Sequence, residues 1–247
     1  MKFKNIVIIG ATSSIAHQTA LLFAKEGASF VLAGRNQNRL ASCAGDLQSR
    51  GAKSVFTIIM DATNPTGYEQ IFQQSISLLG EIDLLYVAHG SLTDQDRANN
   101  DTLYALEELT VNFNSAVGYI LTFAGYFEQK KSGTIALLSS VAGERGRAGN
   151  YIYGAAKGGL SIFLQGLRNR LSKSNVNVLT IKPGFVDTPM TADIPHNILF
   201  AKPELIAKNI YTAIIHGKDV VYLPWFWLWI MLIIRSIPER IFKKLSI

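Results

Sequence analysis

The chain has 247 residues, 48% of them apolar, enough for a substantial core in one large α/β domain or two small ones. Its single cysteine, Cys43, excludes a disulfide framework and fits a reducing compartment, and four scattered histidines give no metal-ligand spacing, so no metal is expected. Half of the +6 net charge sits in residues 220–247, and no aromatic-studded basic groove exists, so nucleic acid is not expected as a partner.

The N-terminus, MKFKNIVIIGA, imitates a secretory signal. Its apolar run is too short, however, and leads into a glycine turn, so it reads as a first strand of a cytoplasmic protein. Apolar runs at 5–10, 29–34, 54–60, 83–88, 134–139, 176–181 and 219–223 alternate with helical patterns. Such alternation predicts an α/β fold: a Rossmann-like, doubly wound domain over 1–224 with a seven-stranded parallel sheet covered on both faces.

The first strand runs into Gly10-Ala11-Thr12-Ser13-Ser14-Ile15-Ala16. Small residues here let a backbone approach a pyrophosphate, which the following helix can meet with its N-terminal N–H groups. Gly10, Thr12, Ser13, Ser14 and Ile15 are therefore candidate dinucleotide-binding residues; the competing reading is a plain strand–turn–helix with a serine cap. The second strand ends Ala33-Gly34-Arg35-Asn36, with no acid for a ribose 2′-hydroxyl. A guanidinium at Arg35 suits a 2′-phosphate, so NADP(H) is expected over NAD(H). Asp61, at the third strand's end, can reach an adenine amino group or cap the next helix.

The fourth strand leads to Val87-Ala88-His89-Gly90, where Ala88 and Gly90 permit close cofactor approach and His89 reads as a packed histidine. A helix over 101–128 carries Asn112 in an apolar turn, where a buried amide must find partners. The next strand opens the segment SSVAGERGRAGNYIYGAAK. Tyr153 and Lys157, four apart, share a helix face, and an ammonium beside a phenol favours the phenolate. A tyrosine so placed can act as an acid–base group, and the Ser140 hydroxyl can bond a substrate oxygen. After the sixth strand comes Pro183-Gly184-Phe185-Val186-Asp187-Thr188, where Val186 backbone and the Thr188 hydroxyl can hold a carboxamide. Residues 188–202 read as a lid or substrate loop.

The stretch 220–234, VVYLPWFWLWIMLII, is uncharged. As one helix it spans about 22 Å, short of a bilayer core of about 30 Å, so it is not expected to cross. Around Pro238, which starts a second segment, Ile237, Ile241 and Leu245 share a face, with Arg240, Lys243 and Lys244 away from it. Residues 225–247 thus read as a helical tail lying in a headgroup region, peripheral on the inner face of the cytoplasmic membrane. The alternative is an apolar tail packed on its own domain or in a dimer interface.

These motifs in register resemble the short-chain dehydrogenase/reductase family over about residues 3–224, with Ser140 thirteen residues before Tyr153, Lys157 four after it, and Pro183-Gly184 after strand six. The resemblance implies an NAD(P)-dependent oxidoreductase acting on CH–OH or C=O groups. It implies that Tyr153 is the acid–base group and Ser140 orients the carbonyl. Lys157 would lower the tyrosine pKa and hold the ribose, and Asn112 would support a water relay. It also implies a homo-oligomer. Two departures stand out: the three-glycine turn keeps only Gly10, and Val87-Ala88-His89-Gly90 replaces the usual Asn-Asn-Ala-Gly. The turn and the tail are similar to the decaprenylphosphoryl-ribose epimerase reductase-like branch, which implies a lipid-linked sugar or long-chain lipid as substrate. A rival reading is a non-catalytic nucleotide-binding sensor or scaffold subunit, and another is a membrane-tethered interaction module.

Overall fold

The computed structural model describes residues 3–245, so Ser246 and Ile247 of the expected tail lie outside it. All seven expected strands form: β1 (Asn5–Ile9), β2 (Ser29–Gly34), β3 (Ser54–Ile59), β4 (Leu84–Val87), β5 (Gly133–Leu138), β6 (Val176–Pro183) and β7 (Val220–Leu223). They make one parallel sheet in the order β3-β2-β1-β4-β5-β6-β7. The order reverses between β1 and β4, which opens a crevice at the strands' carboxyl ends.

Alternation along each strand sends apolar side chains to both faces. Ile6, Ile8, Phe30 and Leu32 pack on one face with helices α1 (Ser14–Ala24), α2 (Gln37–Ser49) and the later α8 (Pro203–Ile215). Val7, Ile9, Val31 and Leu85 pack on the other with α3 (Gly67–Leu79), α6 (Ser115–Lys130) and α7 (Tyr151–Leu171). Each fully buried side chain of this kind contributes about 1.5–3 kcal/mol. Two short helices, α4 (Gln95–Asn100) and α5 (Thr102–Leu109), precede α6.

The single helix expected over 101–128 is in fact interrupted. Asp101 caps α5, and a π-helical turn, Thr110–Asn114, separates α5 from α6. The wider turn leaves Asn112 only 1% exposed, a common device at functional sites.

The tail also departs from expectation. Helix α9 (Trp227–Ser236) buries Trp227 and Met231 against Val141, with Phe185, Tyr222, Ile230 and Ile234 around them. Arg145 grips its end, donating to the carbonyls of Ile234 (3.2 Å), Arg235 (3.0 Å) and Ile237 (2.7 Å) and to the Glu239 carboxylate (2.8 Å). Its guanidinium also lies over the Phe242 ring at 4.0 Å. Glu144, itself buried, pairs with Lys182 and with Arg235. Across the expected boundary at 224, Trp227, Met231 and Phe242 are thus buried against the domain, while Trp225 and Leu245 stay exposed. Leu228, Trp229, Leu232 and Ile233 on the opposite face of α9 stay 45–65% exposed. Helix α10 covers only Glu239–Phe242; it turns Phe242 inward and leaves Ile241 outside, with Leu245 exposed beyond it. Among the described residues no helix is long and apolar enough to cross a membrane.

Candidate active site

A cavity of about 740 Å³ lies across the carboxyl ends of the strands. Arg35, Arg39, Arg147 and Lys157 line it, and among the described residues no carboxylate does. A site of this sign is built for anionic ligands.

At one end the turn after β1 wraps around Gly10. The N–H groups of Gly10 and Ala11 donate to the Ala33 carbonyl at 2.8 and 3.0 Å, which ties the turn to β2. Gly10 has φ +83°, and a Cβ there would stand 2.4 Å from the His89 nitrogen, so only glycine fits. Thr12, Ser13, Ser14 and Ile15 line the cavity as expected. Ser13 stands at the N-cap of α1 but makes no side-chain cap bond, which overturns the serine-cap reading and leaves the helix's first N–H groups for an anion.

Arg35 reaches this end with a companion the sequence reading missed. Arg39, one turn into α2, lines the cavity and donates to the Thr12 carbonyl at 3.2 Å. Two guanidiniums thus flank the position after β2 where a dinucleotide's ribose would sit. Asp61 does not cap the next helix, whose N-cap is Thr66. Its Oδ1 accepts from the Thr63 N–H (2.8 Å) and hydroxyl (2.7 Å), and its side chain is not among those lining the cavity. The local turn offers a backbone donor two residues on, and an aspartate takes it.

The other end holds Ser140, Tyr153 and Lys157 together. Ser140 ends β5 in extended backbone, and its Oγ accepts from the Ala142 N–H at 3.1 Å, so the hydroxyl proton can still be donated. Lys157, 4% exposed, donates to the Leu138 carbonyl at 3.2 Å and sits 5.6 Å from the Tyr153 ring centroid. Burial pushes Lys157 down to about 8. Burial pushes the Tyr153 phenol up to about 12, against a smaller lowering by Ser140. Among the protein's own groups, desolvation of the phenolate outweighs the lowering by Ser140.

Asn112 lies behind Gly90, where a Cβ would come within 2.8 Å of its Oδ1 and 3.4 Å of the Lys157 ammonium. Its amide is fixed on both sides. Oδ1 accepts from the Ser91 N–H (3.0 Å), and Nδ2 donates to Ser91 Oγ (3.1 Å) and Glu108 Oε2 (3.3 Å). The same Glu108 oxygen accepts from the Ser91 and Thr93 hydroxyls, both at 2.8 Å. Ala88 and Gly90 line the cavity. His89 does so too, but packed as expected: Nε2 bonds Ser115 Oγ at 2.7 Å, and burial pushes the imidazole down to about 3, so it stays neutral.

Pro183, Gly184, Val186 and Thr188 form the wall after β6. Gly184 is required by the tail rather than by a ligand: a Cβ there would lie 2.0 Å from the Trp227 indole. The Val186 carbonyl accepts the Thr191 hydroxyl at 2.6 Å, which leaves its N–H as the group able to hold a carboxamide. The Thr188 hydroxyl shares a capping box with Thr191, so it is already partly engaged. Trp227 and Arg147 complete the lining, and the sequence reading placed neither there.

The pieces needed for hydride chemistry on a carbonyl thus meet in one anion-binding cleft: an acid hydroxyl, a second hydroxyl, an ammonium and a helix N-terminus. The sequence matches the short chain dehydrogenase family model over residues 4–198. It is 32% identical over 240 residues to an uncharacterized oxidoreductase of Mycobacterium tuberculosis, covering 97% of this chain and 96% of that one. An uncharacterized oxidoreductase of Streptomyces coelicolor is 31% identical over 245 residues, covering 99% and 96%. Two solved structures share the fold at 18% identity. Levodione reductase aligns with a TM-score of 0.82 over 90% of this chain and 96% of its own. The alcohol dehydrogenase of Thermococcus sibiricus, complexed with 5-hydroxy-NADP, aligns at 0.79 over 89% and 95%. With the motif register, the parallel sheet and these matches in agreement, the chain belongs to the short-chain dehydrogenase/reductase family and is an NAD(P)-dependent oxidoreductase.

Proposed function

We propose that the protein is an NADPH-dependent reductase of a carbonyl group on a lipid-linked sugar or long-chain lipid, working at the inner face of the cytoplasmic membrane. The observation that carries the reductive reading is the meeting of Ser140, Tyr153 and Lys157 in one cavity at the end of β5. A phenol that keeps its proton through neutral pH is an acid waiting for an oxyanion.

The cofactor, when bound, supplies the hydride to the carbonyl carbon. The Ser140 hydroxyl donates a hydrogen bond to the carbonyl oxygen and orients it. As charge develops on that oxygen, the Tyr153 O–H bond breaks and the substrate O–H bond forms. The Lys157 ammonium steadies the phenolate left behind, and Asn112, fixed by Ser91 and Glu108, holds the other side of the lysine pocket. Arg35 and Arg39 would favour a 2′-phosphate, and the Val186 N–H would hold the carboxamide.

The lipid part of the reading rests on the tail. Trp225, Trp229, Leu232 and Ile233 are 56–71% exposed, with Arg240, Lys243 and Lys244 following in the chain. Tryptophans and aliphatics beside basic residues suit a headgroup region. Self-association into a dimer or tetramer is part of the same proposal, on family resemblance.

Tyr153→Phe tests the chemistry. The variant should fold and bind NADPH yet lose about 10²–10⁴-fold in turnover of the best carbonyl compound from a screening panel. Near wild-type turnover would remove Tyr153 from its role.

A further inference from the structure

We propose that Arg147 anchors a phosphate ester carried by the substrate; the inference rests on the reading above, that substrate lies beside Tyr153. Arg147 stands in the loop between Ser140 and Tyr153 and lines the cavity, half-buried. Its carbonyl accepts the Asn150 N–H at 3.1 Å, but its guanidinium makes no hydrogen bond or ion pair among the described residues. Its neighbour Arg145, in contrast, is fully engaged with the tail. A guanidinium withdrawn from water without a partner is costly, and burial already pushes its pKa down. An anion in the cavity would relieve that cost through a charge-assisted, bidentate contact.

A second orphan stands three residues on. The Asn150 Oδ1 is buried with no partner among the described residues, and Asn150 lines the same cavity. Its Oδ1 has no surface open to the cavity, so the guanidinium is the group that faces an anion there, and a phosphate ester has oxygens enough for its fork.

The cofactor does not account for these groups. Its phosphates belong to the ends of β1 and β2, at α1 and at Arg35 and Arg39. Arg147 follows β5, which lies beyond β4 from β1 in the sheet order. At about 4.8 Å per strand, β5 is about 14 Å from β2. β5 is about 10 Å from β1 as well, so an anion held at Arg147 on the Tyr153 side of the cleft is assigned to the substrate.

The test uses the full-length protein saturated with NADPH and calorimetric titration with hexyl phosphate, hexanol and inorganic phosphate. Hexyl phosphate should bind at least about tenfold more tightly than hexanol, equivalent to about 1.4 kcal/mol. Arg147→Gln should erase most of that advantage while NADPH affinity stays unchanged, and Arg147→Lys should keep part of it. Tyr153→Phe should leave the advantage intact, so a failure of the chemical reading would not be mistaken for a failure here. Hexyl phosphate binding more tightly than inorganic phosphate assigns a lipid-linked ester, and equal binding assigns a soluble one; both support the anchor. Equal binding of hexyl phosphate and hexanol to the wild type, or an undiminished advantage in Arg147→Gln, overturns it.

Discussion

The outward face of α9 gives the sharpest test of where the enzyme works. Consider replacing Trp225, Trp229, Leu232 and Ile233 together by glutamine. These side chains are 71%, 57%, 56% and 65% exposed, so none contributes much to the core. Full burial of a large apolar side chain is worth about 1.5–3 kcal/mol. Side chains with about half to two-thirds of their surface free would then contribute about 1–2 kcal/mol each on entering a membrane interface, or about 4–8 kcal/mol together. Arg240, Lys243 and Lys244 would add about 1 kcal/mol each on an anionic surface. The quadruple variant should lose at least about 100-fold in partitioning to vesicles containing anionic lipid, measured by sedimentation. Its melting temperature should hardly move, because substitutions on an exposed face usually change stability by less than about 0.5 kcal/mol. High salt should weaken wild-type binding without abolishing it, since apolar burial is not screened. Wild-type protein that ignores vesicles, while the variant dissociates an oligomer, would turn this face into a subunit interface and refute the membrane reading.

Other outcomes are equally definite. Arg35→Ala should weaken NADPH by about tenfold and leave NADH nearly untouched, with a smaller effect from Arg39→Ala; equal affinity of the wild type for both nucleotides would refute the preference. Ending the chain at Pro224 removes buried Trp227 and Met231, losses of about 3–5 and 2–5 kcal/mol against a typical stability of about 5–15. That truncated protein should melt far lower or not fold, and a stable, active one would show that the tail does not close the site. Lys157, pushed by burial from the usual 10.5 down to about 8, is protonated less in the folded than in the unfolded chain. Its contribution to stability should therefore rise as pH climbs between those values, and Lys157→Met should flatten that rise in a thermal-melt series. Reductive turnover should fall through about pH 8 as the ammonium is lost.

Much of this molecule was legible from its residues. Continuous apolar runs such as Ile6–Ile9 and Phe30–Ala33 can only be strands buried on both faces, so the parallel sheet followed. Ser140, Tyr153 and Lys157 were legible because they sit on one strand end and one helix face. The π turn at Asn112 was not, since one wider turn hardly disturbs the apolar pattern. Nor was the inward face of α9, because a helix apolar on nearly every side carries no signal for which side is covered. Arg39 and Arg147 look like any solvated arginine until the backbone brings them to the cavity rim. Spacing shows that an ammonium is near Tyr153, but not how much water both groups have lost.

The Arg145 clamp bears on the order in which the enzyme comes into being. A chain emerges from the ribosome N-terminus first and can begin to fold as it does. Ser140, Tyr153 and Lys157 are all made before the carbonyls of Ile234, Arg235 and Ile237 that Arg145 holds. Until those residues are exposed, Gly184 has no indole against it and Val141 lacks its cover. A nascent chain can thus carry its whole reactive set while one wall of the cleft is missing. Competence arrives when a later segment docks on an earlier loop, and a message cut short would yield reactive groups without the chamber that encloses them.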